Sequence, residues 1–213
     1  MNQLSTKTQA DDKRLTFSKP RVEALSDGIF AIILTLLVLE IKVPHLADPS
    51  SANELLTALA LLSPKIASWV ISFFTVCVIW VNHHRLFKLF KGIDHGLFWW
   101  NATLLLFVSF IPFPTALMGD YLYNPVAVSL YGIALGLMAL SFFFLRWHVI
   151  RRPFLLHDEV EFPKFKKATK YSLLFGPVLY IVGAMLGWFY PFVAMWIYAS
   201  IAIYFIYPHA AQE

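Results

Sequence analysis

The chain has 213 residues, of which 59% are hydrophobic and only 14% charged, and its mean hydropathy is +0.64. That balance excludes an ordinary soluble domain and defines an integral membrane protein. The net charge of +4 does not mark a nucleic-acid binder, because the positive charges fall in short clusters between apolar runs, as membrane topology requires.

Residues 1–20 form a polar arm without the apolar core of a cleavable signal peptide, so the first helix is expected to act as an uncleaved insertion signal. A spanning helix needs about 20 mostly apolar residues. Windows at 23–43, 66–88, 97–118, 126–147, 171–188 and 190–207 qualify. The expected fold is an all-α integral membrane protein with six transmembrane helices in a single repeat. It comprises an N-terminal arm (1–20), a six-helix domain (21–208) and a short tail (209–213). Pro112 and Pro114 should bend or end the third helix, and Gly176-Pro177 should kink the fifth. Trp188-Phe189-Tyr190-Pro191 leaves room only for a tight turn before the sixth. Gly132-x-x-x-Gly136 and Gly183-x-x-x-Gly187 permit close helix approach. The stretch 150–170 is too polar to span and reads as a basic linker lying along the headgroups or as a plain charged loop. The single cysteine, Cys77, cannot close an intrachain disulfide.

Lys and Arg set the orientation. All 17 lie in the N-terminal arm, the second-to-third connection or the fourth-to-fifth connection, apart from Lys42 and Lys65. These three segments share one side of a six-helix bundle. The positive-inside rule therefore places both termini in the cytosol.

Within helix 1, Ser26 and Asp27 sit on the cytosolic shoulder, one to two turns inside Arg21. A carboxylate at a helix centre in a bilayer costs roughly 2.5–3.5 kcal/mol, less towards the interface, so such a residue faces protein or a water-filled path. Ser26 bonding its own backbone, with Asp27 snorkelling or pairing with Arg21, is the simpler alternative. Ile29, Ile32, Leu36 and Leu39 share one helical face. Packing or lipid contact explains such a stripe as readily as a pore does. Thr35 lies just off it, where threonine commonly bonds its own backbone. Trp80, His83 and His84 mark the cytosolic end of helix 2. Adjacent histidines point about 100° apart, so they do not chelate a metal as an i, i+4 pair would. They are candidate partners for Asp27, as is Asn101 at similar depth in helix 3. No phosphate loop, nucleophile elbow or HExxH pattern is present, so no enzyme is indicated and no cofactor is expected. No TVGYG filter and no run of spaced arginines is present either.

Arg21-Val22-Glu23-Ala24-Leu25-Ser26-Asp27-Gly28 resembles the signature of the transmembrane protein 175 family of potassium channels, an Arg followed after three positions by Phe-Ser-Asp. Leu25 stands where that family has Phe. Trp80-Val81-Asn82-His83-His84-Arg85 and Phe110-Ile111-Pro112-Phe113-Pro114-Thr115 are similar to the ends of its second and third helices. The resemblance implies a homotetramer in a prokaryotic plasma membrane, with helix 1 lining the pore and potassium as the permeant ion. It implies a constriction at Ile32, further rings at Leu36 and Leu39, and a polar pore position at Thr35. Arg21, Ser26 and Asp27 would brace the base of helix 1. The rival reading is a proton channel or proton-coupled transporter using Asp27 with His83 or His84.

Overall fold

The structure is a computed structural model and describes residues 15–206. The basic residues Lys7, Lys13 and Arg14, and the 209–213 tail, lie outside the described residues. In chain order the helices are α1 (Lys19–Val38), α2 (Ala52–Leu61), α3 (Ser63–Phe87), α4 (His95–Phe110), α5 (Pro112–Asp120), α6 (Pro125–Arg151), α7 (Phe162–Leu173), a π-helical turn (Leu174–Val178), α8 (Leu179–Phe189) and α9 (Pro191–Ile206). Among the described residues, four runs are long and apolar enough to cross a bilayer: Ser63–Phe87, His95–Asp120, Pro125–Arg151 and Phe162–Phe189. Pro191–Phe205 is apolar but shorter. The chain is thus an all-helical, multi-pass membrane protein. α1 carries Lys19, Arg21, Glu23 and Asp27 in its first half, so its apolar part is confined to the second half.

The prolines act where the sequence places them. Pro112 lacks an N–H, so the third apolar run breaks at Ile111 and restarts as α5. Pro177 removes a donor inside the fifth, and the chain widens there into the π turn instead of a simple kink. Two elements go beyond the sequence-based expectation. α2 is a short helix whose N-cap Ser51 accepts from the Glu54 amide at 3.3 Å. The second half of the 150–170 linker is helical, as α7, and runs directly into the fifth apolar helix.

α6 forms the centre of the bundle and packs against α4, α5, α7, α8 and α9, while α1 lies at the periphery on α3 and α4. Glycines let α6 and α8 close on α9: a side chain at Gly132 or Gly183 would collide with the buried ring of Tyr198. The Tyr198 hydroxyl donates to the Val128 carbonyl at 3.2 Å, so the ring is not free to yield. Gly132→Val is therefore expected to cost about 1–3 kcal/mol by overpacking, read as a lower melting temperature in detergent. An unchanged melting temperature would show that Tyr198 relocates. Ser72 joins a second buried contact, its Oγ 2.7 Å from Thr115 Oγ1 and 2.9 Å from Tyr131 Oη, tying α3, α5 and α6 together.

Candidate functional site

α1 begins with Ser18 as N-cap and Pro20 in its first turn, where a missing N–H is harmless. Its approach is stitched to the loop before α4. The amides of Thr16 and Phe17 donate to the Ile93 carbonyl at 3.0 and 3.2 Å, and Lys19 Nζ donates to the Phe90 carbonyl at 2.8 Å. Phe17 stacks on Phe98, with centroids 4.3 Å apart.

Inside the helix the two faces separate cleanly. Val22, Ser26, Phe30, Ile33 and Leu37 are buried, at spacings of four, four, three and four, which is one stripe of a 3.6-residue helix. Ser26 sits in a directional chain of hydrogen bonds. His83 Nε2 lies 2.8 Å from Asn101 Oδ1, Asn101 Nδ2 donates to Ser26 Oγ at 3.0 Å, and Ser26 Oγ donates to the Val22 carbonyl at 2.8 Å. Because the amide oxygen only accepts, His83 holds its proton on Nε2. The chain connects α3, α4 and α1, and Ser26, His83 and Asn101 are all buried. His83 is further held between Phe87, stacked at 4.0 Å, and Phe30 at 5.6 Å. Such a network fixes the rotation of α1 about its own axis, since turning the helix would orphan several polar groups in an apolar interior.

Asp27 takes a different partner. Its Oδ1 accepts from Trp80 Nε1 at 2.8 Å, and the Trp80 ring stacks on His84 at 5.9 Å. Neither His83 nor His84 hydrogen-bonds Asp27. Of the candidate partners, Trp80 reaches the carboxylate, His83 and Asn101 reach Ser26, and His84 only braces Trp80. Arg21 is exposed and makes no ion pair with Asp27; the ion pair in this part of α1 is Lys19 with Glu23 at 3.8 Å.

The opposite face of α1 is bare. Ile32, Leu36 and Leu39 are 58%, 43% and 60% exposed, and Leu25, the position that departs from the signature, is 49% exposed on the same side. Ile29 is only half-exposed and belongs to the flank. Thr35 is exposed too, with its hydroxyl donating to the Ile32 carbonyl at 2.7 Å, so its methyl and a lone pair are what it presents outward.

Sequence reasoning missed one charged cluster near this site. Asp94 caps α4, accepting from the Leu97 amide at 2.7 Å, and its carboxylate also meets His148 Nε2 at 3.0 Å and Arg152 Nη1 at 2.8 Å. The signal was available in part: an Asp directly before an apolar run is an N-cap signature. Its partners, more than fifty residues away, leave no local trace.

Fold and site together define a class, an all-helical multi-pass membrane protein whose first helix is clamped on one face and uncovered on the other. The chain belongs to the family described as endosomal/lysosomal potassium channel TMEM175, whose model matches residues 21–112, a span that holds every residue of the clamp. It is 40% identical over 192 residues to a potassium channel of Chamaesiphon minutus, covering 87% of this chain and 92% of that one. It is 38% identical over 164 residues to a potassium channel of Streptomyces collinus, covering 75% of this chain and 78% of the other. Its fold matches the crystal structure of a lysosomal potassium-selective channel TMEM175 homologue from Chamaesiphon minutus with a TM-score of 0.77 at 38% identity, over 88% of this chain and 96% of that one.

Proposed function

We propose that this chain is one subunit of a potassium channel in the plasma membrane of a prokaryote, with α1 lining the pore. The observation that carries the reading is the aliphatic face of Ile32, Leu36 and Leu39, which its own bundle leaves uncovered while the clamp at Ser26 locks the opposite face inward. In this reading α1, α3, α4–α5, α6, α7–α8 and α9 make six crossings, and the clusters of Lys and Arg place both termini in the cytosol. One subunit supplies one pore helix, so a narrow pore calls for about four copies around an axis. Four branched side chains meeting at Ile32 exclude water, and the pore closes by dewetting. Potassium gives up its hydration shell more readily than sodium, so a modest preference for potassium follows without a carbonyl filter. Asp27, held by Trp80, and Arg21 keep the cytosolic entrance polar.

The proton-relay alternative gains less support. Asp27 is engaged with Trp80 and His83 with Asn101, so the two titratable groups share no hydrogen bond through which a proton would pass.

Reconstitution into liposomes under an outward potassium gradient tests the proposal. Fluorescence-reported flux should exceed that of protein-free vesicles and fall when sodium replaces potassium, and native mass spectrometry of the same sample should give a homotetramer. No flux above empty vesicles, or a monomer as the sole species, would overturn it.

A further inference from the structure

Near the end of α6, Arg146 carries a guanidinium that forms no ion pair with a carboxylate among the described residues. Its Nε donates to Thr169 Oγ1 at 3.1 Å, and its guanidinium carbon lies 4.8 Å from the centre of the Phe165 ring. Phe165 and Thr169 are the buried stripe of α7. The stripe next to them carries Lys166 and Lys170, with Lys167 one step further round, and all three are exposed. Lys164 is spoken for by Glu161 at 3.0 Å, whereas Lys166, Lys167 and Lys170 pair with no acid among the described residues. Lys167 Nζ lies 5.8 Å over the ring of Tyr171.

Depth decides what this cluster meets. The helical run Phe162–Phe189 has 28 residues, a length of about 42 Å at roughly 1.5 Å per residue, against a hydrocarbon core of about 30 Å. Its uncharged part, Tyr171 to Phe189, nearly fills that core. Lys166, Lys167 and Lys170 therefore stand at the level of the headgroups, with Arg146 beside them. Below the lysines, Tyr171, Leu174, Phe175 and Val178 are exposed and form an apolar track along the start of the fifth apolar helix.

We propose that this seam between α6 and α7 is a binding site for an anionic phospholipid. The guanidinium donors of Arg146 and the ammonium groups of Lys166 and Lys170 hold the phosphate, and the track from Tyr171 to Val178 takes an acyl chain. A partly buried guanidinium without an anion is costly to keep, and a phosphate supplies the charge-assisted bonds that no carboxylate here provides. The apolar track selects a lipid over a free phosphate. The site rests on the orientation proposed above only for its leaflet, the cytosolic one.

The test is a thermal melt of the purified channel in detergent with added phosphatidylglycerol, phosphatidylcholine or inorganic phosphate. Phosphatidylglycerol should raise the melting temperature in a saturable way and phosphatidylcholine should not. Lys166→Gln/Lys170→Gln should weaken the apparent affinity for phosphatidylglycerol on the order of tenfold, and Lys164→Gln should leave it unchanged. Arg146→Gln should weaken it as well, and the double lysine variant, whose changes are on the surface, keeps the test open if the arginine variant fails to fold. Equal stabilisation by both lipids, equal affinity in the double lysine variant, or the same gain from inorganic phosphate would each overturn the proposal. The readout is lipid binding, so a channel that proved not to conduct potassium would leave this result standing.

Discussion

Ile32→Ala is expected to raise potassium conductance and weaken the discrimination against sodium, and Ile32→Asn to relax selectivity in the same direction. Ile32 is among the most exposed aliphatic residues of α1 in the single subunit. Phe30 and Ile33, which face the bundle, are buried, whereas Ile32 points away from it, so its bulk has no role in the subunit core. If four such side chains close the pore by excluding water, trimming them admits a wider water column. Asparagine keeps much of the volume but hydrates, which separates the contribution of size from that of polarity. The same change at Leu39, further along the helix, should matter less. Single-channel conductance in a planar bilayer reads both effects, and unchanged conductance for both Ile32 variants would move the constriction to Leu36.

Asn101→Leu is expected to abolish conduction by loosening α1, at a stability cost of about 2–4 kcal/mol. The amide is the middle of the chain from His83 to Ser26. Leucine fills the space but leaves the His83 donor without a partner in a site where His83 is 1% exposed, a loss of roughly 1–3 kcal/mol for each group left unsatisfied. Ser26→Ala is milder, because it removes a hydroxyl without stranding His83. Asp27→Ala is milder again for stability, since it frees only Trp80 Nε1 at an exposed site. Melting temperatures in detergent give the order. A finding that Ser26→Ala destabilises more than Asn101→Leu would contradict the network as drawn.

Much of this was legible in the sequence, for a physical reason. The stripe through Ile32, Leu36 and Leu39 follows from helical period alone, and Ser26 and Asp27 stand out because polar groups are expensive among apolar neighbours. Period did not say which face looks inward. That depends on Ser26 meeting Asn101, a contact between residues 75 apart in the chain. The partner of Asp27 was likewise decided by tertiary packing: Trp80 lies within reach, and His83 one turn further on is turned towards α4. α7 was hidden because a test for spanning helices scores polarity, and four lysines suppress it. The spacing of Phe165 and Thr169 against those lysines is nonetheless that of an amphipathic helix. The π turn at Leu174–Val178 shows the limit of reading a Gly-Pro pair. It marks where the backbone ladder must break, and the surrounding packing chooses how.

The claim that the uncovered face of α1 lines the pore is tested most directly by cysteine accessibility to silver ions, which are small enough to follow potassium. Cys77 is the single native cysteine, so Cys77→Ser gives a clean background. In that background, potassium current through Ile32→Cys and Leu36→Cys channels should be blocked irreversibly by silver, and Ile33→Cys, whose position is buried in the subunit, should be spared. Block at Ile33→Cys with current through Ile32→Cys untouched would contradict it.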